Sequence, residues 1–190
     1  MRRRGSVRIS AGRWKAKALD VPGTARPTAA RAREALFDLL GSQLPGARFL
    51  DLYAGSGAVG IEAVSRGAAK AVLVDRDSSV LEKNVERLGY PPDVAVLRQA
   101  ADDSVRALAA RGDRFDVVFA DPPYGGEPGV PPGLEGILAS GGVVVVQLDA
   151  DAQPPELELL ALEDVRAYGR NRFAFYRRIA EGGPRPRTTR

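Results

Sequence analysis

The residues best suited to chemistry are Asp121, Pro122, Pro123 and Tyr124, which follow the mostly apolar stretch Phe115 to Ala120. Val117, Val118 and Phe119 form a continuous apolar run, the pattern of a strand covered on both faces. Neither proline can donate a ladder hydrogen bond, so the strand must stop at Asp121. A carboxylate then stands at the carboxyl end of a central strand, where open α/β sheets bind their ligands. The two prolines stiffen the backbone and leave their carbonyls free as acceptors. One Asp121 oxygen and the Pro122 carbonyl suit the two hydrogens of an exocyclic amino group, and Tyr124 offers a flat face for a base to stack on. Taken alone, the motif also fits a strand followed by a proline-rich surface turn.

A second anchor is Arg48 to Gly60, RFLDLYAGSGAVG. Phe49, Leu50 and Leu52 predict a buried strand. Asp51, Gly55 and Gly57 then predict a tight turn into a helix of Val59, Ile61, Ala63 and Val64. Glycines let backbone approach a ligand closely, and the helix start offers free N–H groups. A lone Gly-x-Gly does not separate one nucleoside cofactor from another. Lys70 to Val74 is the next strand and ends at Asp75, close to the interval after Asp51 expected of a ribose-binding carboxylate. Val94 to Leu97 is a third strand, followed by Asp102 and Asp103. Either acid suits a helix N-cap as well as a contact to an adenine amino group.

These residues need a frame. Three βα units precede Phe115, so it opens the fourth strand. With strand order 3-2-1-4, strand four lies beside strand one where the winding reverses, and Asp121 shares a crevice with the glycine turn. Residues 125–133 form a lip over that crevice. Leu134 to Leu138 is a short helix, and Val143 to Val146 a fifth buried strand ended by Gln147. Leu157 to Tyr168 and Arg172 to Ile179 are two strands joined by Gly169, Arg170 and Asn171. Near the start, Val7 and Ile9 alternate with Arg8, Ala11-Gly12 marks a turn, and Trp14 to Val21 is extended. This predicts a β-hairpin with Arg8, Arg13, Lys15 and Lys17 projecting. Thr28 suits a helix N-cap before Ala32, Ala35, Leu36, Leu39 and Leu40, with Gly41 closing that helix. Arg31, Arg33 and Glu34 fall off its apolar stripe, toward a ligand or toward water.

The 190 residues suit one core. With no Cys and no His, a disulfide framework, a thiol nucleophile, a His general base and metal sites built on imidazole or thiolate are excluded. No apolar run approaches membrane-spanning length, and the Arg-rich start lacks a signal-peptide core, so a cytoplasmic protein is expected. Residues 1–46 carry 10 Lys/Arg against 3 Asp/Glu, and residues 166–190 carry 8 against 1. The intervening 47–165 carry 10 against 20. An acidic body with basic ends suits a polyanionic partner. Arg3, Arg4, Arg8, Arg13, Trp14, Lys15 and Lys17 are the candidate RNA contacts.

The motifs Asp51 to Gly57, Asp75 and Asp121 to Tyr124, in that order, resemble class I S-adenosylmethionine-dependent methyltransferases acting on amino nitrogens. RISAGRWKAKAL, RPTAARAREALFDLL and FLDLYAGSGAVGIEAVSRGA, together with DPPY, resemble the RsmD family of bacterial guanine-N2 methyltransferases of 16S ribosomal RNA. The resemblance covers most of residues 7–180. It implies an α/β, Rossmann-like class I methyltransferase fold, a mostly parallel seven-stranded sheet with an antiparallel C-terminal hairpin, plus an N-terminal β-hairpin extension. Together with the residue pattern, which predicts the hairpin and a disordered tail, this divides the chain into a basic extension (1–27), a methyltransferase domain (28–180) and a basic, disordered tail (181–190). The resemblance implies S-adenosyl-L-methionine as cofactor, held by Thr28, Asp51, Ala54, Gly55, Ser56, Gly57, Asp75, Arg76 and Asp102, with Asp121 to Tyr124 holding the target amine. The implied partner is ribosomal RNA within a small-subunit particle, with no metal and no membrane. Two departures stand out: the segment after Tyr124 has little helix, and Gln147 occupies a position where the family often has an acid. Rival readings are an N6-adenine methyltransferase on RNA or DNA, a non-catalytic ribosome-assembly factor, and an NAD enzyme.

Overall fold

The computed structural model describes residues 5–21, 29–123 and 129–179. Arg3, Arg4, Thr28, Tyr124, the lip residues 125–128 and the tail 181–190 lie outside them. Two short strands, β1 (Ser6–Arg8) and β2 (Ala18–Asp20), pair antiparallel. The chain continues through α1 (Ala29–Leu40), β3 (Arg48–Leu52), α2 (Ala58–Ser65), β4 (Lys70–Asp75), α3 (Ser79–Arg87), β5 (Val94–Arg98), α4 (Ala101–Ala110) and β6 (Phe115–Ala120). It ends with α5 (Leu134–Ile137), β7 (Leu138–Asp149), β8 (Leu160–Tyr168) and β9 (Asn171–Arg178).

Strands β3 to β9 form one sheet in the order β5-β4-β3-β6-β7-β9-β8. The first five of these are parallel, and β9 runs antiparallel to both β7 and β8. The winding therefore reverses between β3 and β6, as the sequence pattern predicts. Strand side chains alternate between two apolar layers. Phe49, Leu73, Val117, Phe119, Val143 and Val145 pack beneath α1, α2, α3 and the N-terminal hairpin. Leu50, Leu52, Val72, Val74, Val118, Val144 and Val146 pack beneath α4 and α5. Burial on both faces explains the unbroken apolar runs.

Several expectations are corrected. Of the expected extended segment Trp14 to Val21 only Ala18–Asp20 is strand, and Arg13, Trp14 and Lys15 lie in the turn before it. The fifth sheet strand does not end at Gln147 but continues to Asp149, since residues 144–149 all pair with β9. Gln147 tolerates the half-buried position by donating its side-chain amide to Asn171 Oδ1 at 3.4 Å. Arg33 faces neither ligand nor water. It is 4% exposed and ion-paired with the fully buried Glu62 at 2.6 Å, and it donates to the Arg8 carbonyl at 2.7 Å. No helix among the described residues is long and apolar enough to cross a membrane.

Candidate functional site

Sheet register assembles the site. Leu52 pairs with Val74 on one side and with Ala120 on the other. The next residue of each strand, Tyr53, Asp75 and Asp121, therefore emerges at the same level of the sheet's carboxyl edge. Asp75 in turn pairs with Arg98, which brings Gln99 to the same edge. A cavity of about 590 Å³ opens there, lined by Tyr53, Val74, Asp75, Arg76, Gln99, Ala101, Asp102, Asp121, Pro123 and Gly129. Its size falls in the usual range for small-molecule sites.

The turn out of β3 is tightly wound. Tyr53 takes φ 64°, unusual for a residue with a side chain, and Gly57 takes φ 77°. A Cβ at Gly57 would sit 2.4 Å from Leu81 Cδ1, so α3 packs where only glycine fits. The Ala54 N–H donates to the Val74 carbonyl at 2.9 Å, and the Gly57 N–H to the Ala54 carbonyl at 2.7 Å. Asp75 pins the turn from the next strand: its Oδ2 accepts from the Gly55 N–H at 2.7 Å and its Oδ1 from the Asp77 N–H at 2.9 Å. Tyr53 spans the cavity mouth and donates its hydroxyl to the Gly129 carbonyl. Burial pushes the Tyr53 hydroxyl up, as does the Asp102 charge, against the opposing pull of Arg76.

Asp51 departs from the simple picture. Alternation along β3 puts it on the Phe49 face, under α2, where it is 1% exposed. Its Oδ2 accepts from the Gly60 N–H at 2.8 Å. Its carboxyl is pushed up to about 8: burial is the main cause, the Gly60 bond opposes it, and the negative charges of Asp121 and Asp75 add to it. Asp51 thus feels the carboxylates at the ends of both neighbouring strands.

Of the residues read as cofactor contacts, Asp75, Arg76 and Asp102 line the cavity. Asp51, Ala54, Gly55, Ser56 and Gly57 are not in its lining and belong to the turn and strand behind it. Asp102 does not cap α4, whose N-cap position is Ala100, and Asp103 pairs with Arg106. Of the DPPY residues, Asp121 and Pro123 line the cavity and Pro122 is buried. Tyr53 and Gln99 are wall residues that sequence reasoning missed. No local period marks either one: each stands where its strand leaves the sheet, and only the strand pairing brings it level with Asp75 and Asp121.

The candidate RNA contacts are dispersed in role. Arg13 makes two bonds to Asp93, at 2.7 and 2.8 Å, and lies 4.0 Å over the Trp14 ring. Trp14 packs against the core. Arg8 donates to the Ala16 carbonyl at 3.1 Å, while Lys15 and Lys17 are exposed. No cluster of metal-binding side chains occurs among the described residues.

A family described as "Conserved hypothetical protein 95" matches residues 7–177 of this chain. The chain belongs to that family, the RsmD family. Within it, "Putative rRNA methyltransferase YlbH" of Bacillus subtilis is 33% identical over 187 residues, 90% of this chain and 99% of that protein. "Ribosomal RNA small subunit methyltransferase D" of Escherichia coli K12 is 38% identical over 122 residues, 63% of this chain and 61% of that protein. A solved structure, "Putative methyltransferase yhhF" of Escherichia coli, is 32% identical with a TM-score of 0.74, over 93% of this chain and 99% of that one. This chain has the Rossmann-like methyltransferase fold, a mostly parallel seven-stranded sheet with an antiparallel last hairpin.

Proposed function

We propose that this chain transfers a methyl group from S-adenosyl-L-methionine to the exocyclic N2 amine of a guanine in small-subunit ribosomal RNA. The observation that carries the reading is the cavity at the winding reversal, where Asp75, Asp102 and Asp121 converge beside the glycine turn. The names of its relatives, rRNA methyltransferases, supply the substrate class.

The cavity residues fit the cofactor. Its ammonium and sulfonium cations suit a cavity lined by the carboxylates of Asp75, Asp102 and Asp121. When bound, it supplies an electrophilic methyl group. Asp75 would take the ribose hydroxyls, as the strand-end acid of such folds does. It keeps the Gly55 N–H as a second partner, so ribose binding and turn geometry are joined. Arg76 and Asp102 would flank the adenine, with Tyr53 as the wall between them and the amine site. Asp121 and the Pro122 carbonyl would accept the two hydrogens of the guanine amine. That nitrogen's lone pair is delocalised into the ring. Two acceptors set for a tetrahedral nitrogen localise the pair and hold it in line, and positioning of this kind supplies a large part of a transfer rate. Asp121 would take the proton that the amine gives up in exchange for the methyl group, whose bond to sulfur breaks in the transfer. The guanine must be unstacked to reach the edge of the sheet. Lys15 and Lys17, with the basic termini, would grip phosphates outside the site.

The test is nucleoside mass spectrometry. Unmodified small ribosomal subunits and their naked RNA are each incubated with the protein and S-adenosyl-L-methionine, then digested. New N2-methylguanosine is the expected product, and the better substrate shows whether an assembled particle is required. N6-methyladenosine would reassign the base, and no methylated nucleoside would remove the ribosomal assignment.

A further inference from the structure

The N-terminal hairpin is held by the same two helices that hold the glycine turn. On the α2 side, Gly12 lies against Ser65 so closely that a Cβ there would fall 1.7 Å from the Ser65 carbonyl oxygen. The Arg13 N–H donates to that carbonyl at 2.9 Å, and the Ser65 hydroxyl donates to the Ala11 carbonyl at 2.7 Å. Ser10 donates its hydroxyl to Glu62, one turn earlier on α2. On the α3 side two residues reach the end of the hairpin at Asp20: Arg87, which ion-pairs with its carboxylate at 2.8 Å, and Asn84, which bonds its backbone.

Asn84 is 0% exposed, and its amide is bonded at both ends. Its Oδ1 accepts from the Asp20 N–H at 2.9 Å. Its Nδ2 donates to the Asp20 carbonyl at 2.8 Å and to the Ser56 carbonyl at 2.9 Å. Two carbonyls and one N–H admit only this orientation of the amide. Asp20 is the last residue of β2, and Ser56 lies between Gly55 and Gly57. One turn of helix earlier, Leu81 packs where a Cβ of Gly57 would go. A buried amide is tolerated only when its bonds are made, and these are made to two separate segments of backbone.

We infer that Asn84 is a positioning residue that fastens the glycine turn to the seated N-terminal hairpin, so that cofactor affinity depends on the hairpin's attachment. The inference rests on the reading of the cavity as a cofactor site. By linkage, a polyanion gripping the hairpin and a cofactor in the cavity change each other's affinity by the same factor.

The experiment uses the full chain, Asn84→Ala and Ser10→Ala. S-adenosylhomocysteine binding is measured by calorimetry and backbone protection by amide hydrogen exchange. Asn84→Ala should weaken binding about tenfold, the scale of one lost buried hydrogen bond. It should also speed exchange at Asp20 and at the 55–58 turn, while Val117–Phe119 and Val144–Val146 keep their protection. Ser10→Ala loosens the hairpin at α2 without touching Asn84, and should weaken binding in the same direction by about two- to threefold, a fraction of a hydrogen bond. The inference is overturned if Asn84→Ala frees the hairpin but leaves turn protection and affinity unchanged. It is equally overturned if Asn84→Ala lowers protection uniformly and Ser10→Ala binds like the wild type. A wild-type chain that binds no S-adenosylhomocysteine overturns the cofactor reading as well, a result distinct from wild-type binding that neither substitution weakens.

Discussion

Replacing Asp51 with Asn should flatten the protein's pH–stability profile between about pH 5 and pH 7.5. In the folded chain the Asp51 carboxyl is pushed up to about 8, from an ordinary value of 3.8. Across that window the unfolded chain has lost the proton and the folded chain retains it. The folded state binds more protons, so stability from this group is fully present below the unfolded value and is lost as pH rises toward 8. The slope of one such group is about 1.4 kcal/mol per pH unit. For a chain of this size that corresponds to about 3–6 °C in Tm per unit. The window is clean because the chain has no His, and ordinary carboxylates titrate below it. Asn keeps an oxygen to accept the Gly60 N–H and cannot ionise. The assay is thermal unfolding of wild type and Asp51→Asn at closely spaced pH values and constant ionic strength. Wild type should lose Tm steadily relative to the variant as pH rises. Parallel profiles would refute the reasoning, because a carboxyl ionised throughout the window contributes no slope.

Asp121→Ala should lose turnover by about 10²-fold while keeping cofactor binding, since it removes a positioning acceptor. Asp75→Ala should first raise the cofactor dissociation constant by more than about tenfold, as charge-assisted bonds to the ribose and the Gly55 N–H disappear; calorimetry and single-turnover kinetics separate the two. Glu62→Gln should destabilise the chain by about 3–5 kcal/mol in urea unfolding, because it strands the buried Arg33. Burial pushes the Glu62 carboxyl up, but bonds from Ser10 and Arg33, the Arg33 charge and the Arg66 bond outweigh it and hold the carboxyl below its ordinary range. A double Lys15→Ala, Lys17→Ala variant should lower the slope of log affinity for RNA against log salt by about 1–2, at roughly 0.7–0.9 for each phosphate no longer neutralised.

The strand pattern carried most of the fold. Phe115 to Ala120 was legible because two prolines cut it off and an unbroken apolar run meant burial on both faces. The winding reversal followed from counting βα units before it. What stayed hidden has particular causes. The Arg33–Glu62 pair spans 29 positions and Arg13–Asp93 spans 80, so no local period reports either. Arg33 therefore looked like a free cation when it is the partner of a buried acid. Tyr53 stands between the strand residue Leu52 and the glycine turn, and the sequence pattern attaches no reading to it. Its left-handed backbone and its place on the cavity wall follow from the sharp exit of β3, which only register with β4 and β6 makes visible. Asp51 belonged to a motif whose acids were all expected at the ligand. Period-two alternation from Phe49 turns it under α2 instead.

That turned-under carboxyl links the electrostatics to the ligand. Asp51, Asp75 and Asp121 sit on neighbouring strands whose parallel register cannot slip by one residue without inverting both apolar layers. Their spacing is therefore fixed by the sheet. Burial chiefly keeps a proton on Asp51, and the Asp121 and Asp75 charges add to that. A cationic ligand offsets those two charges. S-adenosylmethionine beside Asp75 and Asp121 should lower the Asp51 pKa from about 8, and binding at about pH 7.5 should release part of a proton. S-adenosylhomocysteine, whose sulfur is neutral, should release less. Calorimetry of each ligand in two buffers of different ionisation enthalpy gives the proton count directly. Asp51→Asn should abolish the difference between the ligands. An equal difference in wild type and variant would place the titrating group elsewhere and break the link between the buried acid and the sulfonium charge.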